Sequence, residues 1–204
     1  GDRILGTDPA TGTLHWEYPL KAKNMPLACA SPVLHGDLLF LTAFYDGCAT
    51  LKLAQDKLAV SEVWRRRGQN ERRTDGLHSI ISTPIAINEH AYGVDSYGEL
   101  RCLALADGSR VWEDKSAVPY GRWATIHFVK NGENIWMFNE RGELLIAQLS
   151  PKGFEEIDRG KLLEPTRDQL NRRGGVCWSH PAFAYKHVFA RNDKKIVCAD
   201  LSTP

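Results

Sequence analysis

Short apolar runs recur along the chain, among them Leu38-Leu39-Phe40-Leu41 and Ile135-Trp136-Met137-Phe138. They are apolar at nearly every position rather than at every second one, which predicts strands covered on both faces. Tight turns follow them at Asp46-Gly47, Tyr97-Gly98 and Arg141-Gly142, with Asn192-Asp193 in the last unit. Gly or Asn there supplies the positive φ of a hairpin. Ahead of each run a second marker opens another strand: Ala30-Ser31-Pro32-Val33, Ser82-Thr83-Pro84-Ile85, Ala124-Thr125-Ile126 and Ser179-His180-Pro181-Ala182. Helical character is confined to 164–172, where Pro165 suits a first helical turn, and this predicts no more than a loop decoration.

The tryptophans give the period. Trp16, Trp64 and Trp112 follow one another at a constant 48 residues, and 45 further on Ile157 is expected in the matching place. Asp8-Pro9-Ala10-Thr11-Gly12-Thr13-Leu14-His15-Trp16 and Ala106-Asp107-Gly108-Ser109-Arg110-Val111-Trp112 read alike, a turn feeding a short strand that ends in Trp. Each unit therefore reads as four strands, A to D, in 45 to 50 residues, the size of a β-propeller blade. Strict repetition assigns Trp16, Trp64 and Trp112 to packing between blades. Gly6, Cys102, Ala147 and Cys198 are read as equivalent places in strand C that accept only a small side chain.

The predicted fold is all-β, a propeller of four-stranded antiparallel blades with units at 1–29, 30–78, 79–122, 123–177 and 178–204. The first unit supplies only strands C and D, and the last only A (178–182), B and C. Four to five blades are thus expected, as one segment of a larger propeller. The opening Gly1-Asp2-Arg3, with no initiator Met and no apolar leader, likewise predicts a start inside a longer chain.

Ser-Pro-Val opening a strand, then a hairpin, then a Thr-Gly turn leading to Trp, resembles the PQQ-binding-like (quinoprotein-like) propeller repeat family. The match is closest at Asp8 to Trp16 and at Gly93 to Trp112, and Ser150-Pro151-Lys152-Gly153 departs from it. WD repeats need a recurring Gly-His and Trp-Asp, and kelch repeats a Gly-Gly pair per blade, and neither pattern recurs. The stretches 121–127 and 171–181 are similar to a subgroup of secreted or periplasmic members without established activity. The resemblance implies an extracytoplasmic location.

Charge and cysteines narrow the classes further. Lys and Arg number 26 against 25 Asp and Glu, so no bulk field draws the chain to nucleic acid or to an anionic membrane. No window predicts a membrane-spanning helix. The five cysteines form no CxxC pair and predict neither a zinc ribbon nor a disulfide framework.

Candidate chemistry gathers on the loops that lead from strand D of one unit to strand A of the next, at 65–79, 115–123 and 162–178. Long loops on one face of a rigid scaffold are where binding concentrates. Arg122, Trp123, His127, Arg172, Arg173, Trp178, His180 and His78 are the candidate ligand-binding residues. Guanidinium forks suit anions, and indole faces suit planar or sugar rings. The basic run from Arg65 to Arg73 reads as solvated charge. Around Arg122-Trp123 and from Arg173 to His180, binding and structural readings both stay open. The histidines sit unevenly against their strand markers, so no metal site is expected. The expected function is a non-catalytic binding or scaffold module for an anionic, carbohydrate or protein ligand on the loop face, with no cofactor. The alternative is a fragment of a quinoprotein alcohol or sugar dehydrogenase holding PQQ and calcium. Such a grip, by resemblance, takes adjacent cysteines, a tryptophan floor and a Glu, Asn or Asp cluster, and no two cysteines here are adjacent.

Overall fold

The computed structural model describes residues 2–21, 27–170 and 174–202, and every regular element among them is a β-strand. Strands β1 (Arg3–Thr7) and β2 (Leu14–Pro19) make a two-stranded first sheet. The second sheet contains β3 (Val33–His35), β4 (Leu38–Ala43), β5 (Gly47–Leu53) and β6 (Val60–Arg66). The third contains β7 (Ile85–Ile87), β8 (His90–Val94), β9 (Leu100–Ala104) and β10 (Arg110–Asp114). The fourth contains β11 (Ile126–Asn131), β12 (Asn134–Asn139), β13 (Glu143–Ser150) and β14 (Gly153–Lys161). The fifth has three strands, β15 (Ala182–Ala184), β16 (His187–Arg191) and β17 (Ile196–Asp200). Chain neighbours are antiparallel neighbours throughout, which is the blade topology of a propeller left open.

The described part of 164–172 is a loop, as its weak helical character allows, and the start of one strand shifts. No helix forms among the described residues of 164–172: Thr166 bridges to Val176, and its hydroxyl bonds the Asp193 carboxylate. Those partners draw the segment out as an extended loop. Strand A of the fifth sheet starts at Ala182 rather than at Trp178, because 178–181 serve the loop face instead.

The apolar core lies between sheets. Tyr18 and Leu20 of the first sheet meet Leu41, Ala43, Ala49 and Leu51 of the second. On the opposite face of the second sheet, Phe40 and Cys48 meet Ala91 and Leu103 of the third, with Leu77 of the 65–79 loop in the same layer. Tyr92, Val94, Leu100 and Cys102 then face Ile135, Met137, Leu145 and Ala147 of the fourth. Phe138 of the fourth sheet meets Ala190 of the fifth, with Leu163 and Cys177 of the 162–178 loop in the same layer. The B strands β4, β8 and β12 each touch two such layers, which is why they are apolar at consecutive positions.

Cross-strand pairing corrects the repeat alignment by one residue. Gly6 pairs with Trp16, Thr50 with Trp64 and Cys102 with Trp112, and in each sheet one residue of strand D is then skipped at a bulge. In the fourth sheet Ile146 pairs with Asp158 and Ala147 with Glu156, so the skipped residue is Ile157. Ile157 therefore matches Val63 and Val111, all three of them exposed, and Asp158 takes the place of the tryptophan. Ile146 rather than Ala147 is the counterpart of Gly6, Thr50, Cys102 and Cys198. A bulge adds one residue to one strand only, and the pleat then turns every later side chain to the other face. The small-residue reading holds at Gly6, where an added Cβ would lie 2.0 Å from the Trp16 ring.

Candidate functional site

The D-to-A loops and the B–C turns share one face, and a single carboxylate joins them. Glu71, in the 65–79 loop, accepts hydrogen bonds from Arg122 Nε (3.1 Å) and Nη2 (2.6 Å), from Tyr45 (2.9 Å) and from Tyr97 (2.7 Å). Tyr45 and Tyr97 stand in the B–C turns of the second and third sheets, and Arg122 in the 115–123 loop. The Arg122 guanidinium also lies 4.6 Å from the Trp123 ring and 5.8 Å from that of Phe44. Burial pushes the Glu71 carboxyl up, but the bonds from Arg122, Tyr97 and Tyr45 outweigh it and hold the group below its usual range. Arg122 and Trp123 thus lie together at this node, with the positive charge of Arg122 already matched by Glu71.

A second network lies beneath this node. Asp95 accepts from the His78 amide (2.6 Å) and the Thr74 hydroxyl (2.8 Å) and pairs with Arg101 at 3.2 Å, both side chains being almost fully buried. Arg101 also donates to the Gly76 carbonyl and to Glu113. The base of the 65–79 loop is therefore anchored to β9 and β10. His78 is buried at its edge, and among the described residues neither ring nitrogen has a hydrogen-bond partner. Burial and the nearby Arg101 lower its pKa to about 4, so the ring is neutral at pH 7.

The third group lies where the fourth and fifth sheets meet. The His127 and His180 rings stand 4.8 Å apart. His127 Nε2 is 2.8 Å from the Trp178 carbonyl, and the Trp178 indole donates to Glu140 at 3.2 Å. Burial lowers the His127 pKa to about 4, against the raising effect of the Trp178 carbonyl. Arg172 and Arg173 lie outside the described residues. Among the described residues no group of three His, Cys, Asp or Glu side chains is placed to hold a metal ion.

Sequence reasoning missed Glu71, Tyr45, Tyr97, Asp95 and Arg101. One signal was present: Tyr45-Asp46-Gly47 and Tyr97-Gly98 put a tyrosine just before the turn glycine in consecutive units. The loop arginines divide differently from their reading as one solvated run. Arg66 pairs with Asp75, and Arg65 donates to the Pro19 carbonyl. Arg72 lies on the Tyr97 ring, beside Tyr120, which is 67% exposed. Arg67 and Arg73 are exposed and form no ion pair with a carboxylate among the described residues.

All five cysteines are free, none adjacent to another, and Asp95, just past the end of β8, is committed to Arg101, Thr74 and the His78 amide.

Serial antiparallel blades with the core between them, and loops gathered on one face, define a quinoprotein-like β-propeller segment. The family model described as outer membrane protein assembly factor BamB matches residues 1–114, and the chain belongs to this family of PQQ-like propellers. Among solved structures it is similar to BamB from Moraxella catarrhalis, with a TM-score of 0.64 at 16% identity over 97% of this chain and 51% of that one. It is also similar to the quinohemoprotein alcohol dehydrogenase of Comamonas testosteroni, with a TM-score of 0.57 at 16% identity over 93% of this chain and 31% of that one. The β-propeller domain of Cps50 (Swd1) from Myceliophteria thermophila gives 0.57 at 13% identity, over 98% and 63%. The chain thus spans about half the length of the Moraxella protein. No curated protein matches it. These likenesses show the fold, which hosts both non-enzymatic and enzymatic proteins. No helix among the described residues is long and apolar enough to cross a membrane.

Proposed function

We propose that this chain is a non-catalytic binding module that works outside the cytoplasm and takes an acidic polypeptide segment on its D-to-A loop face. The Glu71 node carries the reading. It fixes two loops and two turns from consecutive sheets, and the 65–79 loop so held presents Arg67 and Arg73 as exposed side chains, with Arg72 on the Tyr97 ring and Tyr120 exposed beside it. Loops ordered in advance lose little further freedom on binding, and Arg and Tyr are the residues that anchor interfaces. The description of the family as an assembly factor agrees with a protein partner, and the commitment of Asp95 to Arg101 argues against a calcium-held quinone.

The test is anisotropy of a fluorescent hexaglutamate peptide at 50 mM salt, against a hexalysine control. Saturable binding of the acidic peptide that weakens about tenfold in Arg67→Ala/Arg73→Ala is expected, with an unchanged melting temperature. Equal binding of both peptides, or none, overturns the proposal. So does stoichiometric uptake of PQQ with Ca²⁺ coupled to reduction of an artificial electron acceptor, which would favour a dehydrogenase fragment.

A further inference from the structure

The alignment corrected at the bulges exposes a row of side chains that crosses each sheet and faces the next. In the second sheet the row is Val33, Phe40, Thr50 and Trp64, and in the third Ile85, Tyr92, Cys102 and Trp112. Both indoles stack near the aromatic ring of their own strand B and close the gap to the following sheet. Trp64 Nε1 donates to the Leu105 carbonyl at 2.6 Å, and Trp112 Nε1 to the Ser150 carbonyl at 2.8 Å. The acceptor each time lies just past or at the end of strand C in the next sheet.

In the fourth sheet the same row reads Val129, Trp136, Ile146 and Asp158. An exposed carboxylate stands where the other rows hold an indole. Between the fourth and fifth sheets lies a cleft of about 530 Å³, lined by Val129 and Trp136 of that row but not by Asp158 itself. Its floor is Trp136 against Phe183, ring centroids 5.0 Å apart and edge to face. Leu201, which bonds the A–B turn through its amide to the Lys186 carbonyl as Leu105 does to that of Glu89, lines the cleft. It holds the position of the carbonyl that receives the Trp64 indole N–H one sheet earlier.

The A–B turn of the fifth sheet places Tyr185 at φ 51° and Lys186 at φ 61°. Positive φ at both central residues is what a two-residue hairpin turn requires, and Asn88 and Glu89 hold the matching places in the third sheet at φ 43° and 55°. The turn presents Tyr185 outward, 93% exposed, at the edge of the cleft it lines. Lys130 and Lys186 line the same mouth and form no ion pair among the described residues.

We infer that the cleft between the fourth and fifth sheets is a small-molecule site for an indole ring carrying a carboxylate. The ring takes the place that Trp64 and Trp112 fill in the earlier gaps, its N–H donates to the Leu201 carbonyl, and Tyr185 closes over it. The carboxylate leaves past Lys130 and Lys186. The volume lies within the range of small-ligand pockets. The A–B turns stand on the face opposite the D-to-A loops, so the site is independent of the proposed partner face.

The test is calorimetric titration of the 204-residue chain with indole-3-propionate, 1-methylindole-3-propionate and tryptamine. Saturable binding of the first is expected, roughly tenfold weaker with the methylated ring, which cannot donate, and weaker again with the cationic tryptamine. Asp158→Trp supplies the missing indole from the chain itself, and it should abolish binding. In case that variant does not fold, amide shifts of the wild type on titration should map to Trp136, Tyr185 and Leu201. Absence of saturable binding overturns the inference, as do shifts elsewhere or an Asp158→Trp variant that folds and binds as well as wild type. Binding only of a tryptophan-containing peptide, with the free indole acid silent, overturns it in favour of a protein partner.

Discussion

The indole of Trp64 reaches across to the third sheet and donates its N–H to the Leu105 carbonyl oxygen, 2.6 Å away. The ring also lies against Gly108, where an added Cβ would sit 2.6 Å from it at a φ of 71°. One residue of the second sheet thus holds a strand end and a turn of the third. Trp64→Ala should cost about 3 kcal/mol and Trp64→Phe about 1 kcal/mol, read from urea midpoints. Ile157→Ala should stay within about 0.5 kcal/mol, since Ile157 is an exposed bulge residue. A large loss at Ile157 would refute the corrected register.

Arg101 and Asp95 are a buried ion pair, and such pairs cost most when one partner is removed. Arg101→Met leaves the Asp95 carboxylate buried beside Thr74 and the His78 amide, and should lose about 3 to 5 kcal/mol. Adding Asp95→Asn should recover part of that loss. Equal stability of the single and double variants by denaturant titration would show that the two side chains are not coupled.

Stability should fall on mild acidification. His78 and His127 have pKa values near 4 in the fold, against an ordinary 6.5. The unfolded chain therefore binds more protons between these values, and the stability carried by the neutral rings is complete above about pH 6.5 and lost as the pH drops towards 4. Each ring contributes at most about 3 kcal/mol. Unfolding free energy measured from pH 7 to 4.5 should slope downward, and His127→Gln should flatten the slope.

Glu71→Ala should loosen the loop face without unfolding the sheets. The global midpoint is expected to move by less than about 1 kcal/mol, because the node is half-exposed. Amide exchange in 65–79 and 115–123 should quicken markedly while β8 and β9 keep their protection. Exchange unchanged in both loops would mean that the Asp95 network alone holds them.

The blades were legible in the sequence because two constraints repeat without interruption. A layer on each side makes strand B apolar throughout, and an inter-sheet indole recurs at a fixed interval. The fourth unit defeated the alignment by a single residue. Bulges follow Thr50, Cys102 and Ile146, and spacing alone cannot show which of Ile157 and Asp158 is skipped. The site was legible only in part. Arg122 and Trp123 stand out as neighbours in sequence, whereas Glu71 reaches Arg122 across 51 residues and leaves no local trace. The basic loop looked uniform, yet which of its arginines stay outward is decided by distant acceptors such as Asp75 and Pro19.

Among the described residues every greasy layer is shared property of two adjacent sheets, and none belongs to one sheet alone. Disorder must therefore spread from neighbour to neighbour, as in a linear array, rather than strike the whole molecule at once. The second, third and fourth sheets are each clasped from both sides, so loosening any one of them should weaken both of its neighbours.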